Sequence, residues 1–160
     1  MLKVKLIAVG KIKEKYLCEA CGEYVKRLKG YCKLEICEIP EVSLSREPSP
    51  SEMQKVLSRE GESILKAIKG SDYVIAMCIE GKQLSSEELA QRFSDISLSG
   101  KSTVSIVIGS SFGLCGAVKE RADMKLSMSK MTFPHMLARV MVLEQTYRAF
   151  SILGNSKYHK

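Results

Sequence analysis

The stretch Tyr73-Val74-Ile75-Ala76-Met77-Cys78-Ile79 decides the fold class of this chain. It is continuously apolar, which is typical of a strand that neighbouring elements cover on both faces. Residues 103–108, with the sequence TVSIVI, form a second run of the same kind. Strands buried on both faces occur in parallel sheets, whose crossover connections are usually helices. The two runs therefore predict a parallel α/β fold.

The N-terminal region is predicted to add two more strands with a helix between them. The run VKLIAVG ends at Gly10, and residues 14–28 carry apolar side chains at helical spacing. A second strand is plausible at residues 33–39, where the alternation breaks at Cys37. This order is the beginning of an alternating β and α pattern.

Two capping boxes predict where the next helices begin. Ser49-Pro50-Ser51-Glu52 combines a capping box with proline at the first helical position, and Ser85 with Glu88 forms a second box. The first of these helices is expected to run to Gly70, with an interruption at Gly61.

The C-terminal third continues the alternation of elements. A turn rich in glycine and serine follows Gly109, then a short helix and a strand at residues 125–128. Pro134 opens a long helix that is expected to end near Gly154. We therefore predict one α/β domain of residues 1–160, with a mostly parallel sheet and helices on both faces.

Length and composition narrow the class of protein. A chain of 160 residues is long enough to bury a core as one domain. No stretch reaches the roughly 18 apolar residues of a membrane-spanning helix, so no membrane association is expected. The N-terminal apolar run is too short for a signal peptide, which favours a cytoplasmic protein.

Four of the six cysteines superficially offer a zinc site. Cys18 and Cys21 fall in a helical stretch, whereas Cys32 and Cys37 fall in a strand-like one, and spacing alone is weak support for zinc. Without a signal sequence the thiols are expected to be reduced. We predict no metal site.

The positive charge of the chain is concentrated near its C-terminus. Residues 121–160 carry seven Lys and Arg against two Asp and Glu, which accounts for five of the seven net charges. A basic surface attracts a polyanion such as RNA through phosphate contacts. A solvated cationic face that serves solubility is the alternative interpretation.

Ligands of open parallel sheets bind beyond the carboxyl ends of the strands. This rule indicates three loops, which begin at Glu80-Gly81, at Gly109 and after Met128. If their strands are neighbours, the three loops form one crevice.

The turn Gly109-Ser110-Ser111-Phe112-Gly113 allows more than one interpretation. It matches the G-x-S-x-G nucleophile elbow of serine hydrolases, with Ser111 as nucleophile and Asp123 and either His135 or His159 as partners. It also suits a tight turn, or a close approach of the backbone to a small ligand. A non-catalytic basic RNA-binding module remains a third class.

Both histidines of the chain lie in the basic C-terminal region, at His135 and His159. Arg139 and Arg148 lie about two and a half helical turns apart, on roughly opposite faces, so at least one is expected to be structural. The end of the chain, residues 158–160, would by default be a frayed terminus.

These residues carry a resemblance to a known family. Residues 107–114 (VIGSSFGL), 118–150 (VKERADMKLSMSKMTFPHMLARVMVLEQTYRAF) and 157–160 (KYHK) resemble the RlmH-type 23S ribosomal RNA pseudouridine N3-methyltransferases of the SPOUT superfamily. The similarity extends to KLIAVGKIKEKY at residues 5–16 and to IEGKQLSSEELA at residues 79–90.

The resemblance implies a C-terminal trefoil knot, a homodimer and S-adenosylmethionine as the methyl donor. Knots are rare exceptions among protein folds. By matched position, the donor contacts implied for this chain are Met77, Gly109, Met128, Ser129, Lys130, Met131, Thr132 and Phe133.

The implied substrate is a pseudouridine of 23S ribosomal RNA in the assembled ribosome. The resemblance assigns RNA contact and base positioning to His135, Arg148, Tyr158, His159 and Lys160, with the tail reaching the site of the partner subunit. A histidine of near-neutral pKa suits removal of the N3 proton, although which histidine acts, or whether water does so, stays open.

The chain departs from the family pattern at three positions. Ser110 replaces a common glycine, so a positive φ at this position would strain the turn. Lys157 replaces a common proline before the tail, and Lys160 stands where some relatives have arginine, which exchanges a planar fork for a point charge.

Overall fold

The computed structural model describes residues 1–44 and 46–159 and contains five strands that alternate with five helices. The strands are β1 (Lys3–Val9), β2 (Lys33–Ile39), β3 (Tyr73–Gln83), β4 (Thr103–Ile108) and β5 (Met124–Ser127). The helices are α1 (Lys15–Leu28), α2 (Pro50–Ala67), α3 (Ser86–Leu98), α4 (Gly116–Arg121) and α5 (His135–Leu153). Among the described residues no helix is both long and apolar enough to cross a membrane.

The five strands form one parallel sheet in the order β2-β1-β4-β3-β5. Ile106 on β4 pairs with Leu6 on one side and with Ile75 on the other. The predicted α/β class and the neighbouring positions of β4, β3 and β5 are therefore confirmed. The trefoil knot stays a prediction.

The continuous apolar runs of β3 and β4 have a direct physical cause in two packed cores. On β1, Leu6 and Ala8 face α1, α3 and α5, whereas Ile7 and Val9 face α2 and α4. On β3, Ile75 belongs to the first core and its two neighbours belong to the second. Helices cover both faces of the sheet, as predicted, so successive residues of a central strand are all buried.

Most predicted boundaries agree with the structure, and the differences lie at element ends. Strand β3 continues beyond Ile79 to Gln83, and its pairing with β5 shifts register between Met77 and Lys82. Helix α2 ends at Ala67, short of the predicted Gly70. The edge strand β2 is largely exposed, which explains the broken alternation at Cys37.

Both predicted helix starts have the expected hydrogen bonds. The Ser49 hydroxyl accepts from the Glu52 amide at 3.2 Å, with Pro50 at the first helical position. The Ser85 hydroxyl accepts from the Glu88 amide at 3.1 Å, while the Glu88 carboxylate accepts from the Ser85 amide at 2.7 Å. These bonds satisfy amide groups that the helix itself leaves unpaired.

The prediction that Gly61 interrupts α2 is wrong, because the helix is continuous through this residue. The structure gives Gly61 another role. A Cβ atom at this position would overlap the Cys115 sulfur, which belongs to the residue that caps α4. Glycine is therefore needed so that α2 and the start of α4 can approach closely.

Arg139 is the structural member of the two arginines considered above. Its guanidinium is buried and donates from Nη1 to the Glu38 carboxylate at 2.7 Å and from Nη2 to the Gly10 carbonyl at 3.0 Å. These bonds connect the start of α5 to the ends of β1 and β2.

The two mid-helix glycines should respond in opposite ways to alanine. Gly61→Ala should destabilise the fold by about 1–3 kcal/mol, because the added methyl group is forced against Cys115. Gly22→Ala on α1 meets no atom within 4 Å and should stabilise by about 0.5–1 kcal/mol. Urea unfolding measures both values. Adding Cys115→Ala should recover part of the Gly61→Ala loss, and a loss that persists unchanged would contradict the assigned contact.

Candidate functional site

The loops that follow β3, β4 and β5 enclose a crevice of about 740 Å³ at the carboxyl edge of the sheet. They meet there because β3 pairs with β4 on one side and with β5 on the other. The lining comprises residues 77–80, 108–114, 126–129 and 131–135, with Lys119 and Ala138. A largely apolar cavity of this size with a few polar groups is typical of a small-molecule site.

The crevice brings together most of the residues that the family resemblance assigned to the methyl donor. Those that line it are Met77, Gly109, Met128, Ser129, Met131, Thr132 and Phe133. Lys130 belongs to the same loop, but its side chain is exposed and is not part of the lining. Sequence reasoning missed the lining residues 78–80, although their position at a strand end could have indicated them.

The turn after β4 folds back on itself. The Gly113 amide donates to the Ser110 carbonyl at 2.9 Å, and Gly113 has a φ of +85°. A Cβ atom at Gly109 would overlap the Gly113 carbonyl. Both glycines are thus required by the backbone, one for close approach and one for its left-handed conformation.

Ser110 is accommodated in this turn without strain. Among the described residues, Asn155 is the only non-glycine residue with a positive φ. Ser110 is buried, and its hydroxyl accepts from the Phe112 amide at 3.4 Å. The expected consequence of replacing the common glycine, a strained backbone, is therefore absent.

The loop after β5 leads directly into α5 and is held by serine hydroxyls. The Ser127 hydroxyl donates to the Ser129 carbonyl at 2.9 Å, and the Ser129 hydroxyl accepts from the Met131 amide at 3.1 Å. His135 is the first residue of α5 and lines the crevice, as expected for a histidine at this helix start. Its Nε2 atom is buried and has no hydrogen-bond partner in the described structure.

The opposite rim of the crevice carries an ion pair and a thiol. The Lys119 ammonium donates to the Glu80 carboxylate at 2.5 Å, and this bond lowers the pKa of Glu80. Burial raises the pKa of the Cys78 thiol, which also lines the crevice. A thiol of raised pKa is a poor nucleophile at neutral pH, so Cys78 serves as part of the wall.

The geometry excludes the serine hydrolase. Asp123 accepts from the Val74 amide at 2.7 Å and therefore lies at the amino end of β3. Ser111 follows the carboxyl end of β4, at the opposite edge of the sheet. Because parallel strands separate these two edges, Asp123 cannot complete a triad with Ser111 and His135.

The predicted residues of the C-terminal tail gather around Glu144 on α5. The Glu144 carboxylate accepts from Arg148 at 2.6 and 2.9 Å and from the Tyr158 hydroxyl at 3.2 Å. His159 contacts Arg148 through Nδ1 at 3.2 Å and Glu87 through Nε2 at 2.7 Å. The tail is thus packed as far as His159, and Lys160 lies outside the described residues.

Aromatic contacts strengthen this tail cluster, which we define as Glu144, Arg148, Tyr158 and His159. The Tyr158 ring lies edge-on to Tyr147 with centroids 4.7 Å apart, and the Arg148 guanidinium lies 4.7 Å from the Tyr158 centroid. Burial, with further contributions from Tyr24 and Glu144, raises the pKa of Tyr158 to about 12. The phenol is therefore neutral at physiological pH.

The tail cluster and the crevice lie on different sides of the loop after β5. A second cavity of about 480 Å³ contains Glu144 and shares Leu126, Ser127 and Met128 with the crevice. Within one chain the structure therefore brings His135 to the crevice but leaves Arg148, Tyr158 and His159 beside the second cavity. The central role of Glu144 was missed, although its spacing of four residues from Arg148 could have indicated the pair.

The cysteines considered for zinc are free thiols. Cys18 and Cys21 lie on α1, whereas Cys32 and Cys37 lie before and on β2. In the described part of the chain, no group of three or more His, Cys, Asp or Glu side chains could hold a metal ion.

Fold and crevice together define a class of enzyme. The family model described as "Predicted SPOUT methyltransferase" matches residues 2–159, which is nearly the whole chain. A solved structure from Bordetella pertussis, described as a probable methyltransferase, superposes with a TM-score of 0.60 over 93% of this chain and 95% of that one. Its sequence is 14% identical, so the likeness concerns the fold alone. The protein is a SPOUT methyltransferase.

Closer relatives define the family within this class. Proteins named ribosomal RNA large subunit methyltransferase H are 49% identical in Bifidobacterium adolescentis and 47% identical in Carboxydothermus hydrogenoformans. Each alignment spans 159 residues, or 99% of this chain and 100% of the relative. The chain belongs to the ribosomal RNA large subunit methyltransferase H family. This membership favours an enzyme over a non-catalytic RNA-binding module.

Removing the charge of Glu144 should lower the pKa of Tyr158. The phenol pKa is raised above its unfolded value of about 10, so the packing that depends on the neutral phenol is fully present below pH 10 and is lost as pH rises through about 12. In Glu144→Gln the midpoint should fall but stay above the unfolded value, because burial is the larger cause. NMR of the tyrosine ζ carbons measures it, with Tyr158→Phe identifying the signal. Glu120→Gln on α4 should leave it in place, and an equal effect of both variants would contradict the contact.

Proposed function

We propose that this methyltransferase transfers a methyl group from S-adenosylmethionine to N3 of a pseudouridine in 23S ribosomal RNA of the assembled ribosome. The RNA class is supported by the names of the relatives, and the base and atom by the resemblance of residues 107–160 to the family pattern. The observation that carries the donor assignment is the crevice, since seven of its lining residues match the implied donor contacts.

The crevice fits a donor of this kind in size, polarity and unfilled bonding capacity. Its volume of about 740 Å³ lies within the range of small-molecule sites. Met77, Met128 and Phe133 supply apolar wall against which an adenine ring and a thioether chain would pack. The buried Nε2 atom of His135 lacks a partner in the described structure, so one polar group in the lining is available.

The donor, when bound, supplies a methyl group that its sulfonium already activates. The work of the chain is therefore to align the base nitrogen with that methyl group and to remove the N3 proton. His135 lies in the crevice lining and is our choice for the proton acceptor. The turn of residues 109–113 and the loop of residues 128–133 hold the donor and exclude water.

The RNA is held by the basic C-terminal region. We assign contact with the RNA and positioning of the base to Arg148, Tyr158, His159 and Lys160, whose charges and hydrogen-bonding groups suit phosphate and base edges. Because the tail cluster lies away from the crevice of its own chain, this role requires a homodimer in which the tail serves the partner's crevice. In this proposal residues 1–160 act as one domain with the knot that the family pattern implies, in the cytoplasm.

Methyl transfer to isolated ribosomes tests the proposed reaction directly. Ribosomes that lack the modification are incubated with labelled S-adenosylmethionine, in matched preparations with and without the target pseudouridine. Label should appear in 23S ribosomal RNA chiefly when the pseudouridine is present, and removing residues 158–160 should abolish it while S-adenosylhomocysteine still binds. Binding of the donor product without any label on ribosomes would refute the substrate, and equal loss of donor binding in the truncated chain would refute the role of the tail.

The donor assignment predicts a matched pair of glycine variants. Gly109→Ala should weaken S-adenosylhomocysteine binding by roughly tenfold or more, because the added methyl group collides with the Gly113 carbonyl and displaces the turn. Gly116→Ala, at the start of α4, meets no atom within 4 Å and should bind normally. Calorimetry measures both affinities. Unaltered binding to a folded Gly109→Ala protein would place the donor elsewhere.

A further inference from the structure

Helix α2 carries a buried acid, Glu60, that the proposed reaction does not use. Glu60 is 2% exposed, and its Oε1 atom has no hydrogen-bond partner among the described residues. Its Oε2 atom accepts from the Val42 amide at 3.4 Å. Burying an incompletely paired carboxylate costs free energy, and an apolar side chain of similar volume would be expected to stabilise more. Stability alone therefore does not account for an acid at this position.

Glu60 lies directly behind the wall of the crevice. The hydroxyl of Ser110, a lining residue, donates to the Glu60 carboxylate. His135 also lines the crevice, and its Nε2 atom is the second buried polar atom here without a partner. The two side chains are within electrostatic range, since a positive charge on His135 lowers the pKa of Glu60.

The surroundings of this pair favour a positive charge on the imidazole. Burial is the main cause that raises the pKa of Glu60, and the nearby charge of Glu41 raises it further. Hydrogen bonds from Ser110 and Val42 and the charge of His135 lower it. Arg139, one turn after His135, is occupied by Glu38 and Gly10. An imidazolium at His135 would therefore face two acids, Glu41 and Glu60, from the other elements packed around it.

We propose that Glu60 is a positioning residue for His135, holding the imidazole at the crevice wall and stabilising its protonated form. This inference rests on the proposed methyl transfer. As the bond from N3 to its proton breaks, the proton passes to the His135 ring and the electron pair stays on N3. That pair forms the bond to the methyl carbon while the bond from this carbon to the sulfonium sulfur breaks, leaving a neutral thioether. The carboxylate compensates the buried imidazolium until its proton leaves to solvent.

Titration of the Glu60 carboxyl group tests the coupling without any need for turnover. The chain contains two histidines, so His135→Asn and His159→Asn form a matched pair. NMR of the labelled carboxyl carbon should show an upward shift of the Glu60 pKa in His135→Asn, because the opposing charge is gone. His159→Asn should leave it in place. An unshifted Glu60 titration in His135→Asn would overturn the proposed pair.

A double-mutant cycle tests the role in the reaction. Glu60→Gln should lower kcat for ribosome methylation by roughly tenfold or more with unchanged affinity for S-adenosylhomocysteine. Glu62→Gln, an exposed acid on the same helix, is the control and should be without effect. In the His135→Asn background Glu60→Gln should cause little further loss, because Glu60 acts through His135.

The outcomes separate this inference from the proposed function. Losses of kcat that add independently would overturn the positioning role, even if both variants are folded. If Glu60→Gln does not fold, the Glu60 titration in His135→Asn decides the question by itself. If the unaltered protein fails to methylate ribosomes although the two groups titrate together, the proposed substrate is refuted while the pair at the crevice stands.

Discussion

Strand β3 pairs with β4 along one edge and with β5 along the other, and the crevice depends on this double pairing. The pairing places three carboxyl-terminal loops side by side. It is possible because helices cover both faces of the sheet, so that the backbone polar groups of the central strands satisfy each other and the side chains are all buried. The register shift between Met77 and Lys82 then moves the end of β3 relative to β5, where the crevice begins.

The sequence predicted the fold well because its signals are local. The apolar runs of β3 and β4 and the capping serines Ser49 and Ser85 each act within a few residues, and the structure confirms them. Gly61 was misread because its cause is distant in sequence. Helical propensity describes the cost of glycine in isolation, whereas the Cys115 side chain that makes glycine necessary is 54 residues away.

The same distinction applies to the candidate site. Residues 128–133 and His135 were found through a contiguous family pattern, and the rule on strand ends gave the location of the crevice. Glu60 was not found, since a glutamate in a charged helical segment gives no sign that it will be buried. Its position behind Ser110 follows from the packing of α2 against the sheet, and the sequence gives no direct indication of that packing.

The tail cluster combines a firm anchor with a weakly held end. Tyr158 packs between Arg148 and Tyr147 and donates to Glu144, so these contacts reinforce each other in a partly buried setting. His159 instead contacts Glu87, whose side chain is 63% exposed, and exposed ion pairs contribute little to stability. Such an end can exchange its partner at small cost. If the proposed dimer brings the RNA of one crevice near the tail of the other chain, a phosphate can replace Glu87 as the partner of His159 while Tyr158 keeps the segment in register.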